Sequence, residues 1–180
     1  MAGVPPVPTF TASEILTSAD VNRLAVALNF AITNRPVCKA HQTIVQTLSN
    51  ITYTVLSLDT TDVDTDGGRS GTGAGTDRYV CRTQGWYAFA ATAGFQPSST
   101  AGTFGERIAL VSVNGGYANG ASTMTDNDNN TCTTLSGLVH MNVNDYFQLS
   151  AYQSTGGSVA TAISPAYQAS EFSLYFVLGG

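Results

Sequence analysis

Apolar and polar residues alternate with a period of two along most of the chain from about His41 to the C terminus. The clearest run is Trp86–Phe95, in which every second residue is apolar. This spacing is typical of a β-strand, because successive side chains of a strand point to opposite faces of its sheet. One face of this strand would carry Tyr87, Phe89, Ala91, Ala93 and Phe95.

Further strands are predicted on both sides of this run. They are Ile51–Leu58, Arg107–Val113, Thr133–Val143, Tyr146–Gln153 and a last strand that places Phe172, Leu174, Phe176 and Leu178 on one side. Asn114-Gly115 and Asn144-Asp145 are expected tight turns, and residues 67–75 and 125–131 are predicted loops. Several short strands with no helical period between them indicate an all-β sandwich or barrel.

A helical period marks the segment before residue 41. Its apolar residues recur at spacings of three and four, and Thr17 followed by Asp20 forms an N-terminal capping pattern. Pro36 would end the helix. The apolar stripe must be covered by its own domain, by a partner or by sister copies of the helix. We expect docking to a partner through Leu16, Val21, Leu24, Leu28 and Ile32.

The chain therefore divides into three predicted segments. Residues 1–12 contain Pro5, Pro6 and Pro8 and should form an extended arm, because proline fixes φ and removes a backbone donor. Residues 13–40 form the amphipathic helix and its linker, and residues 41–180 form the β domain. The arm has too few apolar residues for a core of its own, so we expect it to dangle or to lie in a groove on another subunit.

Charge is scarce in this sequence. Charged residues make up 11% of the chain, against about 25% in ordinary domains, and Lys39 is the only lysine. The net charge of −5 excludes a basic surface for nucleic acid. Residues 1–8 lack the pattern of a secretory signal, and no apolar run is long enough to span a membrane. We expect a soluble chain that belongs to a larger assembly.

Five short motifs follow one another in the β region. They are Leu56–Asp59 with Val63–Gly67, then Gly85–Phe89, Arg107–Gly115, Val143–Leu149 and Glu171–Leu174. In this order they resemble the jelly-roll heads of the tumour-necrosis-factor and complement globular-head superfamily, above all the versions in bacteriophage and bacterial proteins. The resemblance implies an antiparallel jelly roll of about ten strands and a homotrimer. Two departures are the missing collagen-like Gly-x-y stalk and Leu58, which stands where those heads have an aromatic residue.

The segment Phe10–Asn22 resembles the opening of tail and minor virion proteins of tailed phages. It implies a virion structural protein, assembled in the host cytoplasm as a minor tail or tail-tip component. Residues 1–40 would dock to other virion proteins while the trimeric head projects. The alternative is a capsid decoration or head-fibre protein with the same head. A glycan or protein of the host surface would be bound by residues 67–75, 100–105 and 119–130, since binding residues concentrate on loops.

The sequence contains one candidate metal site. Asp62, Asp64 and Asp66 copy the first half of an EF-hand loop, but Gly73 stands where that loop needs a glutamate. An EF-hand is therefore excluded. A looser calcium site and a solvated acidic turn both remain open for these three aspartates.

Catalytic patterns are missing from the sequence, and we expect no enzyme activity and no cofactor. His41 and His140 are the only histidines, and His140 should lie on an outer or interface face of its strand. The odd number of cysteines, Cys38, Cys81 and Cys132, excludes a closed set of bridges within the chain, so we expect reduced thiols.

Outward-facing tyrosines indicate a contact surface. Tyr146 and Tyr152 should face away from the core, and the strand order of the similar heads would place Tyr175 beside them. Tyrosine is favoured at protein interfaces because it combines contact area with a polar tip. We expect these three residues to line the trimer interface, and ordinary surface tyrosines are the alternative.

Overall fold

The computed structural model describes residues 5, 6, 8–11, 15–71, 77–97, 104–126, 131–163 and 169–179. Within these residues one helix, α1 (Ser18–Ile32), precedes thirteen strands. The strands are β1 (Val37–His41), β2 (Thr47–Leu48), β3 (Thr54–Val55), β4 (Thr60–Asp64), β5 (Arg69–Ser70), β6 (Arg78–Val80), β7 (Gly85–Phe95), β8 (Phe104–Val113), β9 (Gly116–Asp126), β10 (Thr131–Met141), β11 (Tyr146–Gln153), β12 (Val159–Ala160) and β13 (Glu171–Leu178).

The strands form two antiparallel sheets that pack as a sandwich. One sheet has five strands in the order β10-β7-β13-β1-β4, and the other has the order β5-β6-β11-β8-β9, with β3 also paired to β11. The chain passes from one sheet to the other between β7 and β8, between β9 and β10, and between β10 and β11. This connectivity is that of a jelly roll, and the ten strands of the two sheet orders confirm the predicted fold class.

The core lies between the sheets and is rich in aromatic residues. The ring of Phe147 on β11 lies 5.5 Å from that of Phe89 on β7 and 5.3 Å from that of Phe172 on β13. The predicted alternation of β7 is confirmed, because Tyr87 and Phe89 are buried while Trp86 is exposed. Side chains from both sheets thus interdigitate in one layer, as expected for stacked antiparallel sheets.

Both predicted tight turns are present. Asn114 and Gly115 have φ of 52° and 75°, and Asn144 has φ of 76°. These are left-handed backbone conformations that Asn and Gly tolerate best. The carboxylate of Asp145 accepts hydrogen bonds from the backbone N–H of Asn142 at 2.7 Å and from the Asn114 side chain at 2.7 Å. One side chain therefore ties the two turns together.

The boundaries of several elements differ from the predictions. Strand β1 begins at Val37, before the boundary predicted at residue 41, and pairs with both β13 and β4. Only Thr54–Val55 is a strand within the predicted Ile51–Leu58. Residues 119–126, predicted as part of a contact loop, belong to strand β9, which pairs with β8 along its length. The other two predicted contact loops also contain strand residues, 69–70 in β5 and 104–105 in β8. Residues 72–75, 100–103 and 127–130 of the predicted loops lie outside the described residues.

The last strand also departs from the simple pattern. Phe172, Leu174 and Phe176 are buried as predicted, but Leu178 is exposed. The pairing of β13 with β7 shifts register between Phe176 and Leu178. This bulge inserts an extra residue and reverses the side of the sheet to which the strand end points.

Helix α1 begins at the predicted cap. The Thr17 hydroxyl accepts the backbone N–H of Asp20 at 3.3 Å, and the Asp20 carboxylate accepts the backbone N–H of Thr17 at 3.0 Å. Hydrogen bonding to Thr17 holds the pKa of Asp20 below its usual range. Throughout the helix, all of which the structure describes, no side chain is buried. Packing of the whole apolar stripe against its own domain is therefore excluded.

Candidate functional site

The outer surface of the five-stranded sheet carries an exposed apolar patch at one end. Trp86 and Ala88 lie on β7, Leu138 on β10 and Tyr175 on β13 are opposite Ala88, and Val177 is two residues farther along β13. We call these five residues the sheet face. Trp86, Leu138 and Tyr175 are 41%, 60% and 48% exposed. Large side chains left in water on one flat surface are typical of an interface that another chain covers.

On the rest of this outer surface the side chains are first small and then polar. Beyond the sheet face lie the small residues Ala90, Ser136 and Ser173, which are adjacent in the strand pairing. Farther along, the Lys39 ammonium lies 3.4 Å from the Glu171 carboxylate. Small side chains let another surface approach the sheet closely, so the apolar end and the flat centre form one continuous candidate contact area.

His140 lies on this surface as predicted, next to the only tryptophan. The rings of Trp86 and His140 pack edge to face with their centroids 5.4 Å apart. His41, on β1, lies with its Nδ1 atom 3.1 Å from the Asp62 carboxylate. Two strands separate β1 from β10 in the sheet order, so the two histidines do not form one site.

The three tyrosines predicted to line one interface lie on different sheets. Tyr146 and Tyr152 are on β11, whereas Tyr175 is on β13, and these strands are not neighbours. The Tyr146 ring lies under the Arg78 guanidinium, and the Tyr152 ring is 4.8 Å from the Tyr53 ring. The predicted proximity of Tyr175 to the other two is therefore wrong. Their role in contacts between subunits stays a prediction.

The predicted docking residues are all exposed in the N-terminal segment. Leu16 precedes the first helical residue, and the other four lie in helix α1. Leu16, Val21, Leu24, Leu28 and Ile32 are 57%, 54%, 48%, 55% and 70% exposed. The helix contacts the sandwich through Phe30, whose ring packs edge to face on Phe176 at 5.5 Å.

The three aspartates of the predicted calcium site have separate partners within the protein. Asp62 contacts His41, and Asp64 accepts the backbone N–H groups of Gly68 and Arg69, each at 3.0 Å. Asp66 accepts the Tyr79 hydroxyl at 2.7 Å, and burial raises the pKa of this carboxyl. Among the described residues no group of three acidic, histidine or cysteine side chains is placed to hold a metal ion.

A buried ion pair holds the middle of the chain to the second sheet. The guanidinium of Arg69 contacts both carboxylate oxygens of Asp77, and the Leu58 N–H donates to Asp77 at 2.7 Å. Only 7% of the Arg69 side chain and 1% of the Asp77 side chain are exposed. Burial raises the pKa of Asp77, and Arg69 limits that rise. This pair is enclosed, so its role is to hold the fold together.

The cysteines are separate thiols in the structure. Burial raises the pKa of Cys38 to about 12 and also raises the pKa of Cys81. A thiol with a raised pKa is a weak nucleophile, because the thiolate is the reactive form. Cys132 lies half-buried on β10.

The described residues contain no helix that is both long and apolar enough to cross a membrane.

Solved structures show the same arrangement of sheets. Murine APRIL superposes with a TM-score of 0.56 at 10% identity, over 79% of this chain and 99% of that one. The globular domain of a zebrafish complement 1qA protein gives 0.53 at 8% identity, over 81% and 99%. Eiger TNF of S. frugiperda gives 0.53 at 10% identity, over 82% and 95%.

The fold is a TNF/C1q-like jelly roll. This confirms the fold that the five sequence motifs imply. No family model matches the sequence, and no curated protein sequence matches it. At these low identities the structural likeness establishes the fold alone.

Proposed function

We propose that this protein is a non-enzymatic structural protein whose jelly-roll heads assemble as a homotrimer through the sheet face. The observation that carries the proposal is the exposed patch of Trp86, Leu138 and Tyr175 beside a flat surface of small residues. Burying a large apolar side chain contributes about 1.5–3 kcal/mol relative to full exposure. Covering several half-exposed side chains in each copy therefore supplies a substantial part of an association energy.

The proposed setting is the virion of a tailed phage, as a minor tail or tail-tip component. The support is the resemblance of Phe10–Asn22 to virion proteins, together with the scarcity of charge. Residues 1–40 would dock to other virion proteins and the head would project from the particle. The exposed apolar residues of helix α1 indicate that another chain covers this segment, because an apolar stripe of this kind is stable only when it is buried.

Binding of the host surface is a consequence of that arrangement. Three copies of one weak site on a trimeric head raise the overall affinity for a repeated glycan or protein ligand without a tight single contact. The proposal keeps, as candidate contact segments, the parts of residues 67–75 and 100–105 that lie outside strands β5 and β8. A capsid decoration or head-fibre protein with the same head is the second candidate, and the same observations support it.

The interface is tested by native mass spectrometry of three variants of the full chain. The Leu138→Asp and Tyr175→Asp variants should change the mass from three copies to one, because each places a charge in the covered patch. The matched control is Tyr117→Asp, which alters a tyrosine that is 73% exposed on β9 of the other sheet. A single-chain mass of 18.8 kDa for the unaltered protein would refute the trimer.

The same assay tests the remaining tyrosines. Trimers that survive Tyr175→Asp but dissociate with Tyr146→Asp or Tyr152→Asp would move the interface to the second sheet. Antibody labelling of purified particles tests the location. Label on the tail supports the tail component, label on the shell supports the decoration protein, and no label on any particle contradicts both.

A further inference from the structure

Helix α1 exposes an apolar stripe while the opposite side of the helix is already in contact with its own chain. The stripe consists of Val21, Leu24, Ala25, Leu28 and Ile32. With about 100° of rotation per residue, Phe30 lies about 180° from Val21 around the helix axis. Because Phe30 packs on Phe176, the helix stands on the sandwich with its stripe turned away from it.

The arm lies beside part of the same back side. Pro5 and Pro6 line one groove together with four residues of the helix, Ala19, Asn22, Arg23 and Val26. These helix residues lie between Phe30 and the N-terminal turn on the side away from the stripe. The protein thus provides its own contacts for one side of helix α1 and leaves the stripe for another molecule.

The charges around the stripe suit a second copy of the same helix. The two charged residues of the helix, Asp20 and Arg23, lie 3.9 Å apart and pair with each other within one helix. Asp20 is the one charged residue that flanks the stripe, beside Leu24, and the flanking residues Asn29 and Ala31 are uncharged. Identical helices that meet along the stripe therefore bring only Asp20 near its counterparts, and the Arg23 of the same helix offsets this charge, which favours self-association.

The base of the helix lies close to the proposed trimer interface. Residues 33–36 connect helix α1 to β1, and the buried Pro36 carbonyl accepts the N–H of Phe176 at 2.9 Å. The neighbours of Phe176 along β13 are Tyr175 and Val177 of the sheet face. A threefold axis that brings three sheet faces together therefore also brings three helix bases together.

We propose that the stripes of three copies pack against one another as a parallel three-helix bundle continuous with the head trimer. The inference rests on the proposed trimer and deepens it. Val21, Leu24 and Leu28 have the three-and-four spacing of a heptad seam. A helix of 15 residues is marginal by itself, but three tethered copies have an effective concentration in the millimolar range. In this arrangement the arms and the N-terminal ends of the helices make the contacts with the particle.

Disulfide trapping in the full chain tests this bundle. Leu28→Cys and Val26→Cys are each made with Cys132→Ser, so that the two remaining native thiols are buried. Leu28 and Val26 are a matched pair, 55% and 56% exposed on opposite sides of the helix. After mild oxidation, Leu28→Cys should give covalently linked chains and Val26→Cys should give little or none.

The outcomes separate the bundle from the head trimer. A native mass of three chains with no cross-linking at Leu28→Cys refutes the bundle and leaves the trimer standing. Equal cross-linking at both positions also refutes the bundle, because it reflects random collisions. A native mass of one chain refutes the trimer and the bundle together, and a mass of two chains refutes the threefold arrangement.

Hydrogen exchange provides a second readout that needs no cross-link. In the Leu24→Asp/Leu28→Asp variant the amides of helix α1 should lose protection while those of β7 and β13 keep it. The Asn22→Asp variant is the control, and its helix should keep the protection of the parent protein. Unchanged helix protection in the double variant would overturn the bundle.

Discussion

Replacing Asp77 by asparagine should be among the most destabilising single substitutions in this protein. The Asp77 carboxylate contacts the Arg69 guanidinium and accepts the Leu58 N–H at 2.7 Å. Asparagine preserves the shape and can still accept that N–H group. It removes the negative charge, however, and leaves the positive charge of Arg69 uncompensated in a site where only 7% of its side chain is exposed.

The expected loss of stability follows from the burial of both partners. Breaking a buried pair by removing one charge costs about 3–5 kcal/mol, which is a large share of the roughly 5–15 kcal/mol stability of a typical domain. The Lys39–Glu171 pair is the internal contrast, with side chains 40% and 43% exposed. Exposed pairs contribute only about 0–1 kcal/mol, so Lys39→Met should have little effect.

Urea unfolding followed by circular dichroism measures both substitutions. Protein concentration must be fixed, because association makes apparent stability depend on concentration. A double-mutant cycle with Arg69→Met and Asp77→Leu completes the test. The double variant should lose less free energy of unfolding than the sum of the losses in the two single variants. A loss below about 1 kcal/mol for Asp77→Asn would show that the buried charge is not the basis of this contact.

Two further predictions concern turns and close contacts. Hydrogen bonds from Asn114 and Asn142 hold the pKa of Asp145 below its usual range, so this carboxylate stabilises the fold above its ordinary pKa of about 3.9, and the contribution is lost as pH falls through the lower folded value. Asp145→Asn should therefore flatten the acid limb of stability against pH in urea titrations, and an unchanged slope would contradict this cause. Gly85→Ala would place a methyl group 2.4 Å from the Leu178 carbonyl oxygen and 2.6 Å from the Phe176 ring, so it should cost about 1–3 kcal/mol. Gly116→Ala is the control, because the atom nearest to its added methyl group is 3.4 Å away. Equal urea midpoints for these two variants would contradict the steric explanation.

The parts of the fold that follow from sequence are those where one sheet surface is buried. Along β7 the alternation of Tyr87 and Phe89 with Trp86 and Ala88 matches the structure, because the inner side of this strand meets the core. Strand β9 carries no such alternation, since none of its described side chains is buried. On the side of β9 that meets the core only small residues such as Ala121 are partly buried, so this strand has little hydrophobic period to detect.

Local hydrogen bonding explains why Ile51–Leu58 is mostly not a strand. The Gln46 side chain donates to the Val55 carbonyl at 3.0 Å and accepts the Ser57 N–H at 3.0 Å. A side chain thus occupies backbone groups that a sheet partner would otherwise bind. The β-branched and aromatic residues of this segment predict a strand, but long-range contacts of this kind are invisible in a single sequence.

The candidate interface was only partly predictable for a topological reason. Residue type and outward direction correctly identified Tyr175 as exposed. The sequence predicts Tyr146 on the same surface, although β11 and β13 belong to different sheets. Strands β11 and β13 are successive long strands that belong to different sheets, so their outward residues lie on opposite sides of the sandwich.

The position of Trp86 makes its intrinsic fluorescence a probe of the sheet face. It is the only tryptophan in the chain, it is 41% exposed, and it lies on the sheet face beside His140. Any molecule that covers this surface will transfer the indole from water to a less polar environment and shift its emission to shorter wavelength. Dilution followed by fluorescence can therefore detect dissociation with no added label and no engineered residue.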